Sequence, residues 1–243
     1  MSEAPAILGV LPIFEGFYPL MALRFGGAKS AEVRVRNNET VSIPDKVSGM
    51  IFTHIWVRHM YPDPKQDDVV LDLGANIGMF SLYALSHGAK FCHCVEPCPD
   101  AVERMKQHFE RWNLGNRTNV HAVGVAERAG TGFIPFKTSV VNMVSKKASD
   151  DTVQVELVDI RSLLESLQPR PTYLKFDIEG NEIPVLERLL SSPAMDAIHT
   201  IALEATTDQK ELSDILKKAG FEVRMRYYPE TIIVGSRSLS KKS

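Results

Sequence analysis

The segment VVLDLGANIGMFS, residues 69–81, constrains the fold more than any other part of this 243-residue chain. It begins with an apolar run interrupted only by Asp72, which is typical of a parallel strand buried on both faces. Gly74 follows at once and permits a sharp turn, and the apolar spacing from Gly78 to a stop at Gly88 is helical. The segment therefore predicts a strand, a glycine turn and a helix, which together form the first half of a βαβ unit.

The alternation of apolar strands and amphipathic helices continues along the chain and predicts a parallel sheet. Further strands are expected at residues 90–96, 119–125, 172–178 and 197–204, and helices at residues 99–113, 159–167, 181–190 and 208–219. Residues 130–137 and 152–157 are expected to form an antiparallel flap around the polar loop 138–151. Because such parallel strands are joined by right-handed crossovers, we expect helices on both faces of the sheet.

The last two strand-like segments, FEVRMRYY and TIIVGS, are separated by a turn at Pro229 and Glu230 that leaves no room for a helix. They must therefore pair as an antiparallel hairpin. A mostly parallel sheet that ends in such a hairpin predicts a Rossmann-like α/β fold with seven strands. A dinucleotide-binding sheet, in contrast, is expected to finish in parallel units.

The residues ahead of the first core strand are predicted to form an extension. Residues 31–41 have the pattern of a strand or hairpin, and residues 46–61 that of a helix with apolar side chains at core-like spacing. We expect residues 1–66 to form a cap over the carboxyl edge of the sheet, and residues 67–243 to form the cofactor-binding domain.

The charge balance and the apolar segments bound the partners and the location of the chain. With 28 basic and 30 acidic side chains, it has no net field that would attract nucleic acid or an anionic membrane. The apolar stretch at residues 7–23 is interrupted by Pro12, Glu15, Gly16 and Pro19, so we expect neither a membrane span nor a signal peptide. These features favour a cytoplasmic protein.

Three cysteines lie close together in the second predicted strand and its exit loop. Their odd number does not suit a disulfide framework. Cys92 and Cys94 lie on one face of the strand, where they are either core side chains or ligands of a zinc ion, and Cys98 follows. The core interpretation is favoured because no second Cys or His pair stands at ligand spacing elsewhere in the sequence.

The turn between Gly74 and Gly78 does not suit a pyrophosphate, because its G-x-x-x-G spacing departs from the G-x-G-x-x-G of dinucleotide sites. It suits S-adenosylmethionine, which lacks phosphate but carries a sulfonium, an ammonium, a carboxylate and a ribose diol. Asp72 is the predicted partner of the ammonium, directly or through water. Gly74 lets a ligand approach the backbone closely, and the backbone donors around Ala75 to Gly78, with Asn76 among them, are predicted to hold the carboxylate.

Two further positions complete the predicted cofactor site. Glu96 ends the second strand, 24 positions after Asp72, where a carboxylate can accept hydrogen bonds from both ribose hydroxyls. We expect the carboxylates of Asp72 and Glu96 to face one shared cavity. Val123 stands at the end of the next strand and is the predicted wall for the adenine ring, on position alone.

The segment LKFDIEGNE places Asp177, Glu179 and Glu182 at the carboxyl end of a later strand, the edge at which open α/β sheets bind ligands. Asp177 is predicted either to contact the cationic end of the cofactor or to orient the acceptor. Glu179 is the candidate general base that removes the acceptor's proton. Glu182 is a candidate for either this site or a structural role, accepting from the first amides of the following helix.

Other side chains leave alternatives open. Asp177 and Glu204 end neighbouring strands and could share a divalent metal, which is not favoured because no histidine ligand is fixed by spacing. His54 or His59 is expected to reach the pocket if the cap lies over it, and other histidines are expected to be structural or exposed.

The chain resembles the FkbM-type family of S-adenosylmethionine-dependent methyltransferases. The motifs that carry the resemblance are VVLDLGANIG, CVEPCPDA and LKFDIEGNE, and the likeness covers residues 69–235 and more faintly residues 33–61. Members of this family typically methylate oxygen on natural products or sugars. The resemblance therefore implies O-methylation of a small-molecule or sugar hydroxyl.

Three other functions compete with this prediction. An NAD-binding oxidoreductase shares the acidic residue after the second strand, and a catalytically silent module would bind cofactor without turnover. A nucleic-acid methyltransferase is disfavoured by the charge balance, although the basic and aromatic cluster formed by Arg224, Arg226, Tyr227 and Tyr228 argues for it. The acceptor specificity is expected to reside in the N-terminal cap and in the loop at residues 138–151.

Overall fold

The structure, a computed structural model, describes residues 17–35, 38–135, 145, 152–227 and 230–238. Its strands, in chain order, are β1 (Ala31–Arg34), β2 (Thr40–Ile43), β3 (Val69–Leu73), β4 (Phe91–Val95), β5 (Thr118–His121), β6 (Gly124–Ala126), β7 (Gly130–Pro135), β8 (Thr152–Asp159), β9 (Tyr173–Phe176), β10 (Thr200–Glu204), β11 (Glu222–Tyr227) and β12 (Thr231–Ser236). Its α-helices are α1 (Phe17–Phe25), α2 (Lys46–Phe52), α3 (Met79–Ser86), α4 (Pro99–Arg111), α5 (Ile160–Ser166), α6 (Glu182–Leu190) and α7 (Gln209–Lys218). A π-helical turn, Thr53–Val57, continues α2, and a 3-10 helix, Pro193–Ala197, precedes β10.

Within the described residues, seven strands form one sheet in the order β11-β12-β10-β9-β3-β4-β5. Strand β12 runs antiparallel to both of its neighbours, while β10, β9, β3, β4 and β5 pair in parallel. The predicted fold class, a mostly parallel seven-stranded sheet with a terminal antiparallel hairpin, is confirmed. The chain order reverses between β3 and β9, and such a switch point is where open α/β sheets bind ligands.

Alternation along the central strand divides the interior into two cores. Strand β3 is buried along its whole length, and Val70 belongs to the core on one face of the sheet while Leu71 and Leu73 belong to the core on the other. Helices α3 and α4 cover the first face, and α5, α6 and α7 cover the second. The expected helices are therefore present on both faces of the sheet. Within the described residues, no helix is long and apolar enough to span a membrane.

The predicted strand at residues 119–125 is wrong as a single element. The chain forms β5 in the main sheet and then β6, which pairs with β8 in a separate three-stranded sheet of order β6-β8-β7. Close packing at Gly124 explains the departure, because a Cβ there would lie 2.6 Å from Cδ2 of Leu157 in β8. The predicted antiparallel pair formed by β7 and β8 is present. The loop that joins them lies outside the described residues, apart from Ser145.

The N-terminal segment packs on the main sheet through shared contacts. Strands β1 and β2 form a hairpin, as predicted, and Trp112 of the α4 end donates from Nε1 to the carbonyl oxygen of Thr40 at 2.9 Å. The ring of Trp56 lies 5.3 Å from that of Tyr83 and 6.3 Å from that of Trp112, measured between centroids. The segment and helices α3 and α4 therefore form one hydrophobic core.

The predicted helix at residues 46–61 ends earlier than expected. Helix α2 stops at Phe52, and the π-helical turn that follows buries three consecutive side chains, those of His54, Ile55 and Trp56. The chain then leaves the helical path, and His59 adopts a positive φ of 49°. Packing of these side chains in the interior explains why the helix predicted from local spacing gives way to a wider turn.

A buried hydrogen-bonded network joins the amino ends of β3, β9 and β10. Asp68 Oδ1 accepts from His199 Nε2 at 2.7 Å and from Thr172 Oγ1 at 2.8 Å, and its Oδ2 accepts from the Lys65 amide at 2.7 Å. Burial favours the neutral acid, but the hydrogen bonds from His199, Thr172 and Lys65 together lower the pKa of Asp68 below its ordinary value. The Asp68 carboxylate therefore holds the amino ends of β3, β9 and β10 together, at the opposite edge of the sheet from the carboxyl ends of the strands. We call this its clamping role.

We expect Asp68→Ala to reduce the free energy of unfolding by about 3 kcal/mol at neutral pH, because three donors, of which His199 is buried and Thr172 partly buried, lose their charged acceptor. A carboxyl group whose pKa is lower in the folded state stabilises at higher pH, so the difference between wild type and variant should narrow as the pH falls below about 4. Denaturant unfolding across this range measures it. Asp214→Ala, which removes an exposed ion pair with Lys210, is the control and should change little. Equal stability of wild type and Asp68→Ala would contradict a clamping role.

Candidate active site

A cavity of about 460 Å³ opens at the carboxyl ends of β3, β4, β9 and β10. The strand ends and the turns after them contribute lining residues with mostly polar side chains, namely Asn76, Glu96, Lys175, Asp177, Glu179 and Glu204, together with the backbone of Gly74 and Ala75. The N-terminal segment contributes a mostly apolar wall, namely Met50, Ile51, His54, Ile55, Met60 and Tyr61. Val123 and residues of the three-stranded sheet formed by β6, β8 and β7 line a third side. A concave site of this volume, apolar with a few convergent polar groups, suits a small-molecule ligand.

The turn after β3 requires glycine at its first position. Gly74 has a positive φ of 74°, and a Cβ there would lie 1.7 Å from the carbonyl oxygen of Asp177. Its carbonyl oxygen accepts from Lys175 Nζ at 2.8 Å. The turn thus brings the exits of β3 and β9 into direct contact at the switch point.

The backbone amides of the turn, among them those predicted to hold a carboxylate, already donate hydrogen bonds. Those of Gly74 and Ala75 both donate to the carbonyl oxygen of Val95 at 3.0 Å, and that of Gly78 donates to Ala75 at 2.8 Å. The Asn76 amide donates to Glu96 Oε2 at 2.9 Å. The turn therefore uses these four amides to stabilise itself.

Gly78 is placed away from the cavity lining as well. Its φ is 84°, and a Cβ there would lie 2.9 Å from Cγ of Met105 in α4, so it serves helix packing. Met79 and Phe80, the first residues of α3, do line the cavity. The first backbone amides of a helix have no acceptor within the helix. The amides of Met79 and Phe80 can therefore donate to a ligand, whereas the amides of the preceding turn already have acceptors.

Glu96 lies in the cavity as predicted for its position. Its side chain is buried, and its Oε2 and Oε1 accept from the amides of Asn76 and Cys98, each at 2.9 Å. Burial raises the pKa of Glu96 to about 7, although the two amide donors and Lys175 oppose that shift. Each carboxylate oxygen has a second lone pair, so Glu96 can still accept from two ligand hydroxyls.

Asp72 differs from its predicted placement. It is fully buried and is not among the described residues that line the cavity. Its Oδ2 accepts from Ser81 Oγ at 2.7 Å, and its Oδ1 lies 3.3 Å from Lys175 Nζ. Among the described residues, Glu96 therefore lines the cavity and Asp72 does not, and the Asp72 carboxylate pairs with the ammonium of Lys175, which does line it.

Sequence reasoning missed Lys175, which is buried in β9. Its ammonium lies 3.2 Å from Asp177 Oδ2 as well as close to Asp72. Burial alone would lower the pKa of Lys175, but the carboxylates of Asp177, Asp72 and Glu204 raise it above its ordinary value. The signal was a lysine within an apolar strand, which must find a partner when the strand is buried.

Asp177 and Glu179 stand at the exit of β9, on the cavity wall. Glu179 adopts a positive φ of 54°, a conformation that is uncommon for a residue with a side chain and costs about 1 kcal/mol. Burial and the neighbouring carboxylates of Asp177, Glu182 and Glu230 raise the pKa of Glu179 to about 7. Its side chain therefore exchanges a proton near neutral pH.

Glu204, at the end of β10, lines the cavity as well, and we call the side chains of Asp177, Glu179 and Glu204 the acidic wall. The Tyr61 hydroxyl of the N-terminal segment donates to Glu204 Oε2 at 2.9 Å. Burial and the charges of Asp177 and Glu230 raise the pKa of Glu204 to about 9. Tyr61 and Glu230 were not predicted, because the cap and the hairpin turn reach this edge only through tertiary packing.

Comparison with known proteins identifies the family. The family model for the methyltransferase FkbM domain matches residues 72–223, which is more than half of the chain. The chain belongs to the FkbM methyltransferase family. The predicted resemblance is thus confirmed, and the protein is a methyltransferase.

Relatives of this FkbM methyltransferase include two with described activities. The hexuronic acid methyltransferase AglP of Haloferax volcanii is 24% identical over 188 residues, which is 74% of this chain and 75% of that protein. The 31-O-demethyl-FK506 methyltransferase FkbM of Streptomyces tacrolimicus is 35% identical over 88 residues, covering 35% of this chain and 33% of that protein.

Solved structures also resemble the chain at low identity. One is a Streptococcus pneumoniae protein assigned as a tRNA (m1A22) methyltransferase, in complex with S-adenosyl-L-methionine. It has a TM-score of 0.49 and 13% identity, and the match covers 74% of this chain and 70% of that one.

Other residues weighed from the sequence have different places in this FkbM methyltransferase. Glu182 is fully buried and accepts from the Gly180 amide at 2.8 Å and from the Thr206 hydroxyl, so its structural role differs from the predicted helix cap. His54 lines the cavity, whereas His59 lies outside the lining and its Nδ1 is 2.6 Å from the Tyr83 hydroxyl.

The cysteines of the FkbM methyltransferase are buried free thiols. Cys92 and Cys94 both contact Ser81, with Cys94 Sγ 3.1 Å from Ser81 Oγ. Burial raises the pKa of the thiols of Cys92, Cys94 and Cys98. In the part of the chain that the structure describes, no group of three or more His, Cys, Asp or Glu side chains is arranged to hold a metal ion.

Proposed function

We propose that this FkbM methyltransferase transfers the methyl group of S-adenosylmethionine to a hydroxyl oxygen of a small molecule or sugar. The observation that carries the proposal is that Glu96, the turn after β3 and the acidic exit of β9 line one cavity. Glu96 offers hydrogen-bond acceptors for a ribose diol, and the carboxylates at the exit of β9 offer negative charge for the cationic methionine end of the cofactor. A cavity of about 460 Å³ accommodates a cofactor together with part of an acceptor.

The cofactor contacts follow from these donor and acceptor groups. Glu96 would accept from the ribose hydroxyls, and Val123 would pack beside the adenine ring. The amides of Met79 and Phe80 would hold the carboxylate, in place of the four engaged amides of the preceding turn. Asp177, which is partly exposed to the cavity, would face the cationic end.

The acceptor would lie between the acidic wall and the apolar N-terminal wall. Methyl transfer forms a bond from the acceptor oxygen to the methyl carbon as the bond from that carbon to sulfur breaks. Glu179 would take the proton from the hydroxyl as this occurs. Alignment of oxygen, carbon and sulfur can contribute about 7 to 11 kcal/mol in model systems, so positioning carries much of the acceleration.

The relatives support an oxygen acceptor. The name of one refers to a hexuronic acid, and that of the other to a 31-O-demethyl compound. A sugar or natural-product hydroxyl is therefore the acceptor class that we propose for this chain. A thermal-shift comparison of S-adenosylhomocysteine and NADH, followed by transfer of labelled methyl into a metabolite extract, tests the proposal.

S-adenosylhomocysteine at a hundredfold excess over its Kd should stabilise the protein by about 2.7 kcal/mol. A shift with NADH instead would favour an oxidoreductase. Binding without transfer to any acceptor would favour a silent module.

Replacement of Glu179 by glutamine should lower kcat by about 100-fold or more, because glutamine cannot accept a proton. In the wild type, kcat should decrease as the pH falls below about 7, since the carboxylate of Glu179 then takes up a proton. This limb of the pH profile should be absent from Glu179→Gln. Glu187→Gln, an exposed change on α6, is the control. Unchanged kcat in Glu179→Gln between pH 6 and 8 would remove Glu179 from the role of base.

A further inference from the structure

Lys175 is an ammonium group in the interior of the proposed site. Its side chain is 5% exposed, and all four residues of β9 are buried. A charge in such a place is costly unless it is paired and hydrogen-bonded. The Nζ atom meets this demand with two carboxylates, those of Asp72 and Asp177, and with the carbonyl oxygens of Leu73 at 3.4 Å and Gly74 at 2.8 Å.

The partners of Lys175 stand on both sides of the switch point. Asp72, Leu73 and Gly74 belong to the end of β3 and its turn, and Asp177 follows β9. The ring of Tyr61, from the N-terminal segment, has its centroid 5.8 Å from Nζ. One ammonium group thus ties together the three parts of the chain that meet where the methionine end of the cofactor would lie.

The same contacts set the charge of this part of the cavity. The carboxylates of Asp72 and Asp177 and the ammonium of Lys175 together carry a formal charge of −1, and the nearby carboxyl groups of Glu179 and Glu204 have pKa values raised to about 7 and about 9. Asp72 is fully buried, and its Oδ1 has no other polar partner among the described residues, so its charge is balanced by Lys175. A sulfonium cofactor would therefore meet one net negative charge, and a thioether product would not use it.

We propose that Lys175 is a positioning residue that fixes the Asp177 carboxylate and the Gly74 carbonyl, and that its ammonium limits the preference of the site for a sulfonium over a thioether. This inference rests on the proposed function. Both ligands share the adenosine and methionine parts, so a purely structural role of Lys175 would change the two affinities equally. The ratio of the two affinities isolates the charge.

The experiment measures Kd by calorimetry for S-adenosylmethionine and S-adenosylhomocysteine at pH 7. In Lys175→Met the site charge becomes more negative. The ratio of the first Kd to the second should therefore fall about tenfold. Asp72→Asn keeps the ammonium and brings the formal charge to zero, so the ratio should rise by a similar factor. Each shift in the stated direction supports the proposal.

The double variant Lys175→Met with Asp72→Asn restores the formal charge of −1 without a lysine. Its thermal stability and its affinity ratio should both return toward the wild type. Lys210→Met, an exposed change on α7, should alter neither. If Lys175→Met fails to fold, Asp72→Asn carries the test alone.

A ratio that stays at the wild-type value in Lys175→Met and in Asp72→Asn would overturn the assignment of Lys175. Wild-type protein that binds neither ligand would contradict the proposed function instead. The two failures are therefore distinguishable.

Discussion

Gly74→Ala should abolish binding of S-adenosylhomocysteine and lower the free energy of unfolding by about 4 kcal/mol. A side chain at positive φ costs about 1 to 2 kcal/mol, and forcing atoms into a packed site costs about 1 to 3 kcal/mol more. Both costs apply, because φ is 74° and the new Cβ would lie 1.7 Å from the Asp177 carbonyl oxygen. That atom is backbone, so the exits of β3 and β9 must separate to admit the methyl group.

Denaturant unfolding and calorimetry together measure this effect. Gly115→Ala is the matched control, since a Cβ there meets nothing within 4 Å and φ is not positive. It should leave both stability and binding close to the wild type. Wild-type affinity in Gly74→Ala would show that the two strand exits do not approach as closely as described.

Glu96→Ala should weaken binding of S-adenosylhomocysteine by about 100-fold or more. The ribose hydroxyls lose a charged acceptor, and hydrogen bonds to charged groups contribute about 1.5 to 3 kcal/mol each. The amides of Asn76 and Cys98 also lose their acceptors, so the turn that positions the ligand is disturbed. Glu96→Gln should give a smaller loss, because one oxygen remains while the new amide group points a donor at one of these amides.

The pH dependence adds an independent readout for Glu96. Burial raises its pKa to about 7, and the ionised form is the better acceptor. Affinity of the wild type should therefore decrease as the pH falls below about 7, and this dependence should be weaker in Glu96→Gln. Glu222→Gln, an exposed change on β11, should retain the wild-type profile. Normal affinity in Glu96→Ala at pH 8 would exclude Glu96 from the cofactor site.

The fold could be predicted because its determinants are local. The apolar run before Gly74, the helical spacing after it and the missing helix before the last strand each occur within a short stretch of sequence. The break in the strand predicted at residues 119–125 was missed, because the tight contact of Gly124 with Leu157 joins positions that are far apart in the chain. No periodicity within residues 119–125 reports that contact.

The site was predictable only where position along a strand decides it. Glu96 and Asp177 end parallel strands, and such ends meet at one edge of a sheet. Asp72 was misplaced because its neutralising partner comes from β9, which pairs Lys175 directly opposite Asp72. That register exists only once β3 and β9 are neighbours, although five strands of the described residues lie between them along the chain.

The aromatic packing of Trp56 bears on how acceptor scope could be changed in this protein. The segment that supplies the apolar wall carries Trp56 on its other side, against the rings of Tyr83 and Trp112. A graft of residues 46–61 from a relative that lacks this tryptophan would therefore disturb the packing against Tyr83 and Trp112. Successful chimeras should exchange helix α3 and the end of α4 together with that segment, since the three share one hydrophobic core and must be matched to each other in order to fold.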